Sequence, residues 1–209
     1  MLLNLQNNRE KILDKKNRAE KNSDELKKPR DNVLDTLVEI EMKMAKQMHT
    51  DVPLDEKTLP TFKRMRWMTY SVFSDDTLAL LLNDWIIAYK NGRNVMGEKY
   101  AMMGGQLQIP DFLENEAEIK AIVEQESKWQ EDVRKKYPKT ISGNPQGTEE
   151  FKHYLNCDLH TWSKQALHSY YEDVQRAIRA GKNLSEARYN NLYTSLGKGT
   201  LVEVEKQQV

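Results

Sequence analysis

Two glutamates stand where a helix should be apolar. Glu41 falls between Leu37/Val38 and Met44/Ala45, and Glu126 between Ile122/Val123 and Trp129/Val133, so each interrupts an amphipathic stripe at the same place. An ionised carboxylate buried without a partner is strongly disfavoured. It must meet an Arg or Lys, a metal or a hydrogen-bond network, or else be protonated. One reading is a buried ion pair with Arg66 or Arg64 of the next helix; the other is a carboxylate that holds a ligand or acts as a base. Arg66, Lys99, Tyr100 and Tyr189 extend the second reading. A groove lined by Tyr, Arg and Glu suits a small polar or zwitterionic molecule. In it Glu41 and Glu126 would hold a cationic group or act as the catalytic base, Arg66 would hold an anionic group and Tyr100 would orient the ligand. Lys99 and Tyr189 complete the candidate lining.

A metal reading draws on different residues. Glu150-x-x-His153 puts a carboxylate and an imidazole on one helical face, half of the di-iron bundle motif. With Glu41 and Glu126 it composes an alternative, metal-dependent oxidase site, although Thr61 and Arg64 occupy the equivalent place in the first half. His153, Cys157 and His160 also lie within two helical turns and could share one metal. The preferred reading assigns no metal, identifies no cofactor, and takes Cys157 as a buried inert thiol rather than a nucleophile.

These side chains require helices to position them. Leu34, Leu37, Val38, Met44, Ala45 and Met48 recur at spacings of three and four from Asp31 onward. Thr61 to Phe73 reads as a second helix with Phe62, Met65, Thr69 and Phe73 inward. Ser74 caps a third that turns Leu78, Leu81, Leu82, Trp85 and Tyr89 inward and ends at Gly92. Asn94 caps a short fourth that Gly104 and Gly105 stop. The pattern then repeats. Leu37–Met44 and Ile122–Trp129 share V-E-x-E-x-K, four identities in eight; Phe62–Tyr100 and Phe151–Tyr189 share nine of 39 positions without a gap. The matches fall on caps and apolar faces, among them Ser74/Ser163, Asp84/Asp173, Gly92/Gly181, Asn94/Asn183 and Tyr100/Tyr189, with Lys99 opposite Arg188. The offset grows from 85 to 89 residues, which a longer second connection, Pro138 to Thr148, would explain. The expected architecture is all-α: two tandem four-helix repeats, 31–105 and 115–197, packed about a pseudo-twofold axis as one domain. A charged arm, helical or disordered, precedes it at 1–30, and a tail follows at 198–209.

Composition restricts the partners. The 209 residues carry 32 basic and 32 acidic side chains, so no net charge draws the chain to nucleic acid or an anionic membrane. A single cysteine and an N-terminus without an apolar run argue for a cytoplasmic, membrane-free protein. No P-loop, dinucleotide fingerprint, paired zinc cysteines or G-x-S-x-G occurs. The expected function is binding, and with a carboxylate base transformation, of a small polar metabolite in the groove between repeats. The alternative from another class is a non-catalytic module whose helical faces dock a protein, including a second copy as a homodimer.

Several segments together resemble a known family. They are I-E-M-K-M at Ile40, F-K-R-M-R-W at Phe62, G-R-N-V-M-G-E-K-Y-A-M-M at Gly92, Trp129 followed by Tyr137-Pro138, and Y-L-N-C-D-L-H-T-W-S at Tyr154. Over roughly Leu34 to Tyr193 the chain resembles the bacterial and fungal family termed domain of unknown function 4125. The resemblance implies an all-helical fold and carries no activity. The family's Gly-Gly-Arg segment with Cys-Gln is replaced by T-D-V-P-L-D-E-K-T at Thr50 to Thr58, so no site using that cysteine carries over.

Overall fold

The stripe that starts at Leu34 is buried as its spacing requires: Leu34, Leu37, Val38, Met44 and Ala45 are all 3% exposed or less, on a helix (α1) covering 29–46. The computed structural model describes residues 29–48, 57–110, 114–142 and 146–208. Eight further helices follow: α2, Leu59–Tyr70; α3, Asp75–Lys90; α4, Val95–Met103; α5, Glu116–Lys136; α6, Gln146–Leu159; α7, Lys164–Arg179; α8, Leu184–Ser195; and α9, Leu201–Gln207. Among the described residues there is no strand, and the fold is all-α. Most of the charged arm, 1–28, and part of the segment that replaces the family's cysteine, 49–56, lie outside the described residues. Pro29 and Arg30, read as the end of that arm, are helical. Arg30 donates to the carbonyls of Ser71 and Phe73 at 3.2 and 2.7 Å and pairs with Asp75, which ties α1 to the α2–α3 corner.

The caps form where the sequence puts them. Ser74 and Ser163 accept from the backbone N–H of Thr77 and Ala166; Asn94 and Asn183 accept from Gly97 and Glu186. Each asparagine also works sideways. Its amide nitrogen donates to a carbonyl late in the first helix of its half, Asn94 to Met44 at 2.8 Å and Asn183 to Trp129 at 3.1 Å. Gly92 and Gly181 close α3 and α7 at φ +71° and +62°, the left-handed conformation that spares glycine a Cβ clash.

One core joins both halves, with Leu37, Leu81 and Trp85 packed in the same cluster as Ile122, Leu159 and Val174. α3 packs on α7, α4 on α6, α2 on α8, and α5 against α6, α7 and α8. Two contacts at the α3–α7 crossing are reciprocal. Ser74 N–H donates to Asp173 at 2.9 Å, and Ser163 N–H donates to Asp84 at 3.2 Å.

Four expectations are corrected. α2 spans 59–70 rather than 61–73; Phe73 is buried and Phe62 packs on the core as expected, but the fully buried residues of the helix are Arg66, Met68 and Tyr70, and Met65 is left 46% exposed. Turning Arg66 inward to meet a buried carboxylate sets that rotation. Tyr89 is likewise exposed rather than core. The greater offset of the second half is taken up in part by a helix rather than by the Pro138–Thr148 connection alone: α5 runs on to Lys136, whereas α1 ends at 46, which aligns with 131. Finally, the tail folds. Thr200 and Glu203 form a capping box, and Leu201 and Val204 are buried on one side of α9, Leu201 against Val133, Tyr137 and Ile141.

Candidate functional site

Glu41 and Arg66 meet inside the core. Arg66 Nε and Nη2 donate to the two carboxylate oxygens of Glu41, both at 2.7 Å, with the residues 3% and 1% exposed. The Tyr70 hydroxyl donates to Glu41 at 2.5 Å, Trp85 Nε1 donates at 3.3 Å, and Arg66 Nη2 also donates to the Tyr70 oxygen at 2.6 Å. Burial draws the Arg66 guanidinium down, but Glu41, then Tyr154, Tyr70 and Asp158, outweigh it and hold the group well above its ordinary value. Burial raises the Tyr70 phenol, and Glu41 adds to the rise against Arg66, so Tyr70 stays a neutral donor.

Glu126 has the same surroundings from different elements. Arg188 on α8 donates Nη1 and Nη2 to its two oxygens at 2.6 and 2.8 Å, Tyr170 on α7 donates its hydroxyl, and Ser185 lies at 3.5 Å. Arg188 is also raised: burial opposes the charge, while Glu126 first and then Tyr170 favour it. Its Nε crosses to the other half and donates to the Thr69 carbonyl at 3.3 Å. The aligned contact in the first half is Lys99, whose ammonium crosses to Asp158 at 3.0 Å. In the sequence alignment Lys99 corresponds to Arg188 and Thr69 to Asp158. Burial opposes the Lys99 charge, but Asp158 and Tyr154 outweigh it; Asp158 in turn is raised by burial and lowered further by Lys99 and Arg66. Both groups are ionised.

Between α2, α5, α6 and α8 lies a cavity of about 240 Å³. Arg66, Asp158, Glu126 and Arg188 contribute to its floor, all of them buried. Its walls are mainly apolar and aromatic: Met68, Phe73, Phe151, Leu155, Trp162 and Tyr170. Exposed Met65 marks the opening, beside half-buried Tyr189, whose hydroxyl oxygen accepts from Gln130 at 3.1 Å. Tyr154 reaches in from α6. Its oxygen accepts from Arg66 Nη1 at 2.8 Å and from Lys99 Nζ at 3.2 Å. Leu155 lines the cavity at the position that aligns with Arg66, and the cation beside Glu126 comes from α8 instead.

Of the expected site residues, Arg66, Glu126 and Tyr189 line this cavity. Glu41 sits behind Arg66, and Lys99 touches the lining through Tyr154. Tyr100 is not part of the lining. It is 37% exposed, its ring 5.1 Å from the Lys99 ammonium. The alternative metal set is not gathered: Glu41 and Glu126 are each held by their own arginine, Glu150 is exposed, and exposed His153 bonds the Met103 carbonyl at 3.1 Å. Nor do His153, Cys157 and His160 converge, since His160 Nδ1 engages the Asn156 carbonyl at 2.7 Å. Among the described residues no group of three or more His, Cys, Asp or Glu could hold a metal ion. Burial, then Asp158, pushes the Cys157 thiol up, away from thiolate. Tyr154, Asp158 and Tyr170 were missed by residue-type reasoning. The available signal was Tyr154-x-x-x-Asp158, two polar residues on the same helical face as the apolar Phe151 and Leu155.

Residues 31–206 match the model of the family described as Protein of unknown function (DUF4125), and the chain belongs to that family. No curated protein and no solved structure matches it. No helix of the described residues is long and apolar enough to cross a membrane.

Proposed function

We propose that this family member binds a small molecule in the cavity between α2, α5, α6 and α8. The observation that carries the reading is the combination of a 240 Å³ space, aromatic walls and a lining that includes two buried arginines and Tyr154, whose hydroxyl meets one of them. Ligand sites are commonly apolar clefts with a few converging polar groups, in a size range starting at about 300 Å³, so the ligand here is small. In this reading Glu41 and Glu126 hold Arg66 and Arg188 in place and are not bases. Each carboxylate accepts two guanidinium bonds, a tyrosine hydroxyl and a longer fourth contact, from Trp85 at 3.3 Å for Glu41 and from Ser185 at 3.5 Å for Glu126, which matches the roughly four acceptor positions a carboxylate has. The reading also treats the halves as two copies about a twofold. The reciprocal Ser74–Asp173 and Ser163–Asp84 bonds support that relation, as do the crossed contacts of Lys99 and Arg188.

The test is ligand-observed NMR of the full chain against a library of small aromatic fragments, with Leu155→Trp as the filled-cavity control. Fragments should bind the parent and lose binding in a variant of unchanged helical content. Thr69→Phe replaces that control if Leu155→Trp melts early. No hits, or hits that persist in the filled variant, overturn the proposal.

A further inference from the structure

A hydroxyl has one hydrogen to donate and two lone pairs to accept with. At Tyr154 both lone pairs are taken by cations, Arg66 Nη1 at 2.8 Å and Lys99 Nζ at 3.2 Å, so its hydrogen must point elsewhere. Tyr154 lines the cavity, and among the described residues no protein group accepts that hydrogen. The two arginines show the same surplus. Arg66 commits Nε, both Nη2 hydrogens and one Nη1 hydrogen; Arg188 commits the same set. Each keeps one Nη1 hydrogen, and both side chains line the same cavity. The formal charges balance, since Arg66, Arg188 and Lys99 face Glu41, Glu126 and Asp158. Charge alone therefore selects neither a cation nor an anion, and the uncommitted donors decide. Asp158, the buried carboxylate of α6 and one of the cavity's lining residues, is already paired with Lys99 at 3.0 Å.

Resting on the cavity reading above, we propose that Tyr154 is the ligand-contacting donor of this site and selects small flat molecules bearing an oxygen acceptor, a carboxylate or a carbonyl. The apolar body lies among Phe73, Phe151 and Trp162, and the acceptor oxygen takes the Tyr154 hydrogen. Two cations withdrawing density from the phenol oxygen make that hydrogen a stronger donor than an isolated tyrosine's.

Four probes of nearly equal size separate the possibilities by calorimetry or ligand-observed NMR on the full chain: benzoate, acetophenone, toluene and benzylammonium. Benzoate and acetophenone should bind, toluene about tenfold more weakly for want of one hydrogen bond, and benzylammonium not measurably. Tyr154→Phe should cost the two acceptor probes about tenfold and leave toluene unchanged. In the parent protein alone, toluene equal to benzoate and acetophenone would refute the proposal while leaving the cavity standing, so the test survives a variant that folds poorly. The proposal equally fails if Tyr154→Phe folds and changes no affinity. Benzylammonium binding more tightly than benzoate would assign recognition to Asp158 and overturn it. If none of the four binds, the cavity reading itself has failed.

Discussion

Removing the Arg66 guanidinium should cost this protein a large part of its stability. Arg66→Met keeps most of the side-chain volume but deletes both charge-assisted bonds to Glu41, leaving a 1%-exposed carboxylate with only the neutral donors Tyr70 at 2.5 Å and Trp85 at 3.3 Å. Breaking a buried pair from one side costs about 3–5 kcal/mol, against roughly 5–15 kcal/mol for a whole domain. For a chain of this size that corresponds to a melting temperature lower by about 6–20 °C. Replacing both partners, Glu41→Leu with Arg66→Met, removes the stranded charge. It leaves Tyr70 and Trp85 without their acceptor, at about 1–3 kcal/mol each. The double variant should therefore be more stable than the sum of the single losses implies, with a coupling energy of at least about 1 kcal/mol. Urea unfolding followed by far-ultraviolet circular dichroism and tryptophan fluorescence measures all four corners of the cycle. A loss below about 1 kcal/mol for Arg66→Met would show that Glu41 is not confined as described, and the reasoning about the ionic core would fall with it.

Other outcomes follow from the same structure. Asp158 is held below the ordinary aspartate range, so its contribution is complete above about pH 4 and is lost as pH falls through its lowered value. Asp158→Asn should flatten that part of the acid dependence of the urea midpoint; parallel profiles for parent and variant would contradict it. Asn94→Ala and Asn183→Ala each remove a helix cap and a tie to the first helix of the half, and should each cost about 1–2 kcal/mol by urea titration. Gly181→Ala meets no atom within 4 Å but must hold φ +62°, a purely conformational penalty of about 1–2 kcal/mol that thermal melts would detect.

The parts of the fold legible in the sequence are those that local bonds decide. Ser74, Asn94, Ser163 and Asn183 cap helices through atoms three residues away, so reading them needs no knowledge of the rest of the chain. The Glu41–Arg66 pair was also accessible, because its partner sits on the next helix. The Glu126 partner was not. Leu155 occupies the position aligned with Arg66, and the cation arrives instead from α8, 62 residues on, by a packing that no local pattern encodes. Tyr100 illustrates the opposite error. Recurrence in both halves suggested a site, yet its neighbour Lys99 takes the inward direction, and successive residues on a helix point about 100° apart. Met65 on α2 shows the same limit: it shares a helical face with Phe62, yet it is 46% exposed at the cavity, because a methionine's type does not tell a core position from the rim of an opening.

The crossed reach of Lys99 and Arg188 has a consequence for how the protein is made. During synthesis α5 emerges with Glu126 well before Arg188, and until α8 has left the ribosome that glutamate lacks its counter-ion. Asp158 must likewise arrive before Lys99 can settle. Lys99 of the first half therefore stays without its carboxylate partner until α6 has been made, and Glu126 without its cation until α8 has, so neither half completes its own ionic interior from its first helices alone.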